Sequence, residues 1–236
     1  MRSLVVFFSF LFLFITQIKP CNAVEYFEKV PQFSRIEISG RIIVQIESYG
    51  NNVVTNTENT MKINVRSGSI KELDYYMSGE TFVLRRKGGS FQTRTITITL
   101  NISNTISQLD VSTGALIRTF RNIFDERAEI RAEAGSYLDL FVDTSSLFIN
   151  CGRDSSVIMK GTLNQIEVRS INSGLVDAQL LVVSRAHVYA YTGSTIKINA
   201  LEYLEATAGM KSSVYYKETS AIKHLSELSG GDYIIF

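Results

Sequence analysis

The chain has 236 residues, of which 45% are hydrophobic and 20% charged, and its 24 basic side chains nearly balance its 23 acidic ones. This balance excludes a general electrostatic grip on nucleic acid, which needs a basic patch, and the hydrophobic content is too high for a disordered chain. The composition therefore predicts a folded protein without a nucleic-acid partner.

Residues 1–23 predict a signal peptide. Arg2 precedes an apolar run from Leu4 to Ile15, which is shorter than the roughly 20 helical residues that a bilayer core requires but suits a secretory signal. Cys21-Asn-Ala23 offers small residues for cleavage after Ala23. We therefore expect an exported protein in the periplasm, on the outer-membrane surface or outside the cell, without a transmembrane span in the mature chain. A lipid-modified Cys21 and an uncleaved anchor are the alternatives.

The N-terminal third of the mature chain predicts irregular β structure. We interpret residues 24–31 as an N-terminal extension and residues 32–107 as strands that begin the fold, because apolar residues alternate from Ile42 to Ile46 and from Ile96 to Ile102. No proline- or glycine-rich linker follows. We therefore predict one domain over residues 32–236, with regular coils over residues 108–236.

The regular part of the chain repeats with a period near 19 residues. Glycines stand at 114, 135, 152, 174, 193, 209 and 230. Alternating apolar residues precede five of them, and five positions before these glycines stand Leu109, Ile130, Leu147, Val188 and Leu204. Gly174 does not fit this register, which we interpret as a small insertion in that coil.

Each repeat predicts a strand, a glycine corner, a second short strand and a short return. A unit of about 20 residues cannot bury its apolar face alone, but stacked copies can. We therefore predict an all-β fold, a single-stranded right-handed parallel β-helix (solenoid) with coils of about 20 residues. A β-sandwich is the alternative, although its turns should contain more proline and Asn-Gly.

Several short motifs resemble one bacterial family. Phe33-Ser-Arg-Ile-Glu-Ile-Ser-Gly40, followed by Val44-Gln-Ile46, is similar to the opening of the putative auto-transporter adhesin family with a head GIN domain. Ser112-Thr-Gly114-Ala115 and Asn172-Ser-Gly174 resemble the recurring corners of that family. The resemblance covers about residues 32–236. It implies an exported β-helical protein, often a surface lipoprotein, for which adhesion is proposed by analogy.

No motif in the chain predicts catalysis, a metal site or a cofactor. Once the signal is removed, Cys151 is the one remaining thiol, and its register places it inward beside Thr113, Ala134, Thr192 and Ala208. Arg153-Asp154 lies at a corner but lacks the second carboxylate that glycoside hydrolysis needs. His187 and His224 are predicted surface residues.

The outward row of the strand before each corner is the predicted binding surface. Tyr and Arg side chains are typical contact residues, and solenoids offer extended faces for binding. We name as the aromatic strip Arg131, Phe148, Asn150, Tyr189 and Tyr191. An ordinary solvated face is the alternative interpretation.

The sequence thus predicts a secreted or cell-envelope protein that binds a surface partner, a glycan or a protein, without catalysis. An enzyme acting on polysaccharide is the first alternative. A structural envelope protein whose end strands assemble is the second, and formation of a homo-oligomer stays open.

Overall fold

The computed structural model describes residues 24–48, 58–65, 69–87, 96–218 and 222–236. The predicted signal peptide, residues 1–23, lies outside these ranges. The fold is a β-solenoid of about seven turns, which confirms the predicted fold class. Among the helices of the described ranges, none has the length and apolarity needed to cross a membrane.

Seventeen strands form one continuous sheet in the described part of the chain. A single 3₁₀ turn, Ile70–Glu72, separates the fourth strand from the fifth. The strands are β1 (Val24–Val30), β2 (Arg35–Ser39), β3 (Ile43–Ser48), β4 (Asn59–Val65), β5 (Leu73–Ser78), β6 (Thr81–Arg86), β7 (Ile96–Ile102), β8 (Ile106–Ser112), β9 (Leu116–Thr119), β10 (Phe124–Ala132), β11 (Tyr137–Gly152), β12 (Ser156–Ile171), β13 (Leu175–Ala190), β14 (Thr195–Gly209), β15 (Ser213–Tyr216), β16 (Ile222–Leu228) and β17 (Asp232–Ile235).

The strands of the central coils are longer than the sequence predicted. Each of β11, β12, β13 and β14 runs for 15 or 16 residues from one corner to the next. The predicted short return is therefore part of the strand, because its backbone also pairs with the neighbouring coils. Leu116 pairs with Tyr137 and Thr195 with Ser213, which gives coils of 21 and 18 residues.

Inward side chains stack in columns that form the core. The second inward column before the corner is completely buried and consists of Leu109, Ile130, Ile149, Val168, Val188 and Ala206. The prediction had placed Leu147 and Leu204 in this column, which is wrong by two residues: they pair with Ala128 and Ala186. Both are still buried, because a shift of two residues keeps a strand side chain on the same face.

The error in register comes from the corners. Each of the seven corners from β8 to β17 contains two consecutive residues in the left-handed conformation, and the first is never glycine: Thr113, Ala134, Arg153, Asn172, Thr192, Met210 and Ser229. The second is glycine in some coils, such as Gly114 and Gly193, but Asp154, Ser173 or Lys211 in others. Gly152 and Gly209 end their strands one residue before the left-handed pair, so alignment on glycine displaced these two coils.

The small insertion that the sequence predicted in the coil of Gly174 is not present, so this prediction is wrong. Asn172 and Ser173 form the left-handed pair of that corner, and Gly174 follows it in a buried position. Other coils have a small residue there, such as Ser136 or Ser194. A Cβ atom at Gly174 would lie 2.6 Å from the Cys151 carbonyl oxygen, so the close approach of the neighbouring coil requires glycine.

The N-terminal end of the solenoid does not follow chain order. β2 pairs in parallel with both β6 and β8, and β3 pairs in parallel with both β7 and β9. The coil of β2 and β3 is therefore inserted between a coil built later, from β6 and β7, and the coil of β8 and β9. Antiparallel pairs complete this end: β5 with β6, β4 with β7, and β1 with β4. Residues 24–31, expected as an extension, thus supply a strand of this end.

The C-terminal end is a single last coil. β16 pairs in parallel with β14, and β17 with β15. Tyr233 secures this coil, because its hydroxyl accepts a hydrogen bond from the Ala208 N–H at 2.9 Å and lies 2.6 Å from the acceptor carbonyl of Ser226. The hydroxyl thus bridges β14 and β16.

Candidate functional site

The structure places all five residues of the aromatic strip on one outward face, in three adjacent columns. Arg131, Asn150 and Tyr189 share a column with Arg169 between them. Phe148 lies in the next column, aligned with Glu167 and His187. Tyr191 lies nearer the corner, in the column of Gly152 and Gly209. Parallel pairing brings these side chains together although up to 60 residues separate them along the chain.

Arg169 connects the aromatic residues of the strip. Its guanidinium carbon lies 5.4 Å from the centre of the Phe148 ring and 5.8 Å from the centre of the Tyr189 ring. These distances are typical of cation–π contacts, which hold the planar groups against each other. The rings of Phe148, Tyr189 and Tyr191 are half-buried, less exposed than a freely solvated row would be.

A shallow cleft of about 310 Å³ opens between Arg169, Ile171, Tyr189 and Tyr191. Ile171 is 47% exposed, although it is a large aliphatic residue. The neighbours of this pair in the corner column are Gly152 and Gly209, which carry no side chain. The Ile171 and Tyr191 side chains extend over these glycines: a Cβ atom would lie 3.3 Å from Ile171 Cγ1 at Gly152 and 3.4 Å from Tyr191 Cδ1 at Gly209.

The charges of this face are paired within the strands. The Arg131 Nε donates to Glu129 Oε1 at 2.7 Å, and the Arg169 Nε donates to Glu167 Oε1 at 2.9 Å. Burial raises the pKa of the Tyr189 phenol, and the nearby charges of Glu205 and Glu167 add to this effect. Tyr189 is therefore a neutral hydrogen-bond donor at physiological pH, and the arginines beside it are paired with carboxylates.

A second aromatic group borders the strip. Tyr203 lies between the rings of His187 and His224, with centroid distances of 5.4 and 5.7 Å. Its hydroxyl donates to Glu205 Oε2 at 3.0 Å, and that hydrogen bond raises the pKa of the phenol. The two histidines, predicted as separate surface residues, are thus brought to one place by three successive coils.

The sequence register places Arg169 in the outward row between Asn150 and Tyr191, but Arg169 was not named as a site residue, and Ile171 was overlooked. A signal for the arginine was present, because Glu129-Ile-Arg131 and Glu167-Val-Arg169 repeat the same pattern on the outward side of two coils. Ile171 had no comparable signal, since its exposure depends on the pairing with Gly152 of the adjacent coil.

The other chemical candidates of the sequence have structural roles. Cys151 is buried as predicted, but its neighbours in the column are Ala132 and Ser170, because Thr113, Ala134 and Thr192 are exposed corner residues. Arg153 and Asp154 form a left-handed corner, and Arg153 Nη1 lies 3.6 Å from Glu133 Oε2. Within the described ranges, no group of three or more His, Cys, Asp or Glu residues is arranged to hold a metal ion.

A larger polar cavity, of about 670 Å³, lies at the opposite bend of the coils. Its carboxylates bind hydroxyl groups of adjacent coils: Asp125 accepts from Thr105, and Asp143 accepts from Thr162 at 2.9 Å. Asn122 Oδ1 accepts from the backbone N–H groups of Phe124 and Asp143. These groups therefore hold the bends of successive coils together.

Comparisons with known proteins agree with this architecture. Residues 32–219 match the family model described as "putative auto-transporter adhesin, head GIN domain". No curated protein matches the chain significantly.

Solved structures share the fold at low identity. A putative adhesin from Bacteroides fragilis NCTC 9343 has a TM-score of 0.76 at 16% identity, over 91% of this chain and 97% of that chain. A putative adhesin from Parabacteroides merdae ATCC 43184 has a TM-score of 0.66 at 14% identity, over 91% and 96%. A structure from Parabacteroides distasonis ATCC 8503, named a putative lipid binding protein, has a TM-score of 0.65 at 13% identity, over 90% and 97%.

Proposed function

Because the chain belongs to the putative auto-transporter adhesin family with a head GIN domain, we propose that it is an exported, non-catalytic surface-binding module. Its partner is a glycan or a protein at a cell surface. The aromatic strip and the adjoining cleft form the contact surface.

The observation that carries this proposal is the arrangement of Phe148, Arg169 and Tyr189 on one face. Their ring and guanidinium contacts hold them in a fixed arrangement before any partner arrives. Little conformational entropy is then lost on binding, and aromatic and arginine side chains of this kind dominate the free energy of many interfaces.

The charge pattern supports a partner that is uncharged or that carries charges of both signs. Glu129 and Glu167 already neutralise Arg131 and Arg169 through short hydrogen bonds. A polyanion would have to compete with these carboxylates, whereas neutral hydroxyl groups or a polar protein surface would not. The same pairing supports a binding role over a catalytic one. The carboxylates of Glu129 and Glu167 are bound by arginines and are not free to act as a general acid or base.

The test is a titration of Tyr189→Ala/Tyr191→Ala against ligands found by screening the wild-type protein on glycan arrays and extracellular proteins. We expect the double variant to lose at least ~2 kcal/mol of binding free energy, the scale of an interface hot spot. The measurement is isothermal calorimetry or surface plasmon resonance.

The matched control is Tyr137→Ala/Tyr215→Ala, which removes two tyrosines from the outward face after the corner. It should bind as the wild type does. Because the strip rings are half-buried, thermal melting must show that both double variants are folded. Unchanged affinity in a folded Tyr189/Tyr191 variant would exclude this face, and turnover of a glycan by the wild type would favour the enzyme alternative.

A further inference from the structure

The last coil of the solenoid exposes residues that every preceding coil buries. Leu225 occupies the column of Ala206 and is 38% exposed, whereas Ala206 is completely buried. Ile235 occupies the column of the buried Tyr216 and is 52% exposed, and Leu228, in the outward column of Gly209, is equally exposed. No strand of the described residues covers the outer edge of β16 or β17, so apolar side chains and backbone groups face outward together.

The hydrogen-bonding direction of β16 identifies the backbone groups at this edge. The Ser226 carbonyl binds the Tyr233 hydroxyl between β14 and β16, and the Leu228 carbonyl accepts from the Met210 N–H at 3.3 Å. Both residues therefore direct their backbone groups toward β14. Since direction alternates along a strand, the backbone groups of Lys223, Leu225 and Glu227 are directed outward.

The sequence of β16 is complementary to itself in the antiparallel direction. When Ile222-Lys-His-Leu-Ser-Glu-Leu228 is opposed to a second copy about Leu225, Lys223 faces Glu227 on both sides of the centre. Leu225 then meets its own counterpart, and Ile222 meets Leu228. Directly opposed residues point to the same side of a sheet, so each ion pair and each apolar pair can form.

We propose that the outer edge of β16 pairs antiparallel with the same edge of a second copy of this chain, about a two-fold axis through Leu225. The outward-facing groups are those of a hydrogen-bonded antiparallel pair, which gives about six backbone hydrogen bonds across the junction. The solenoid continues through the junction, and the exposed core of each last coil is covered by the other.

The opposite end of the solenoid is less suited to this pairing. β1 also carries charges, but Glu25 and Lys29 are already engaged within the chain, with Lys62 at 2.9 Å and with Glu58. An antiparallel copy of β1 would have to break these ion pairs, whereas Lys223 of β16 is bound to uncharged groups, with its Nζ 2.9 Å from the Glu218 carbonyl oxygen and 5.7 Å from the centre of the Tyr216 ring. This difference favours the C-terminal edge as the surface for self-association.

The test is sedimentation velocity of protein purified from cells that express the full chain, over a range of concentrations and without ligand. Residue 223 of each copy faces residue 227 of the other, so Lys223→Glu or Glu227→Lys alone creates two pairs of like charges across the junction. We expect each single variant to weaken dimerisation at least about tenfold. The double exchange Lys223→Glu/Glu227→Lys restores both pairs and should restore the dimer.

Mixing the two single variants gives a sharper result. One variant then carries only acidic residues at these two positions and the other only basic ones, so a heterodimer should form although neither variant dimerises alone. Lys160→Glu, which changes the same charge on an exposed position of β12, is the control and should dimerise as the wild type does.

Two results would overturn the proposal: a wild-type protein that stays monomeric at all concentrations, or a dimer that both single reversals leave unchanged. Thermal melting of each variant separates loss of dimer from loss of fold. The proposal goes beyond the binding function, because dimerisation is measured without a ligand and uses the free edge of β16, whereas the strip uses side chains of preceding coils.

Discussion

Cys151 shows how the solenoid isolates a reactive side chain. It lies between the small residues Ala132 and Ser170 of adjacent coils and is only 2% exposed. Its Sγ donates weakly to the carbonyl oxygens of Ser155 and Leu175, at 3.4 and 3.5 Å. Burial raises the pKa of the thiol to about 12, so the reactive thiolate is scarce at neutral pH.

We therefore expect Cys151 to resist thiol reagents in the native protein and to react once the protein is unfolded in urea. Peptide mass mapping after labelling with a maleimide measures modification at this residue separately from Cys21. Rapid labelling of Cys151 in the folded protein at pH 7 would contradict the burial that the structure shows.

At the scale of the strand, the alternation of β14 separates core from surface within a few residues. Leu204 is completely buried in the column of Leu147 and Ala186, whereas Leu201 is 44% exposed at the bend. The two leucines differ in environment but not in chemistry, which makes them a matched pair.

Leu204→Ala should lower the free energy of unfolding by ~2–5 kcal/mol, because it removes buried methyl groups and leaves a cavity. Leu201→Ala should cost less than ~1 kcal/mol, since its side chain is half solvated already. Urea denaturation followed by circular dichroism measures both. Equal losses would show that the inward column is assigned wrongly.

The corner is the second element with a clear energetic consequence. Lys211 has φ 62° at the position where Gly114, Gly135, Gly193 and Gly230 stand in other coils. A side chain in the left-handed conformation costs roughly 1–2 kcal/mol, which glycine avoids. Glycine in return loses about 0.5–1 kcal/mol more chain entropy on folding.

We accordingly predict that Lys211→Gly stabilises the protein by about 0.5–1 kcal/mol, the difference between these two effects. Lys160→Gly, within β12, is the control and should destabilise the protein by about the same amount, because only the entropy cost applies there. Chemical denaturation of both variants provides the comparison. A loss of stability in Lys211→Gly would refute the strain assigned to this corner.

At the scale of the whole molecule, each coil makes most of its contacts with the coil on either side. The stability of such a solenoid is close to a sum of coil and interface contributions, so the ends open before the middle. The strands β11 to β14 have partners on both edges, whereas β16 and β17 have a partner on one edge only.

Hydrogen exchange should therefore protect the amides of β11 to β14 most strongly and those of β16 and β17 least, in dilute solution where the chain is monomeric. Exchange followed by mass spectrometry resolves these segments. Uniform protection over all coils would indicate a single cooperative unit and would contradict this nearest-neighbour account.

Much of the fold could be predicted because the information is local. Alternating apolar residues, as in Leu109-Asp-Val111, show which side of a strand faces inward, and a parallel solenoid follows from their repetition. Leu147 and Leu204 were assigned to the wrong column but to the correct face, since the displacement was two residues. The glycine-rich corners were recognisable, although Arg153-Asp154 and Asn172-Ser173 show that corners also form without glycine.

The sequence by itself thus determined the inward and outward faces, the coil length and the family, because each depends on neighbouring residues or on a regular period. Only the tertiary structure decided the pairing between coils, the insertion of β2 and β3 between later strands, and the place of Arg169 between Phe148 and Tyr189. These features depend on contacts between residues that lie about 20 or more positions apart. A strand can slip by two residues without changing its own pattern, and the packing of the adjacent coils selects one register.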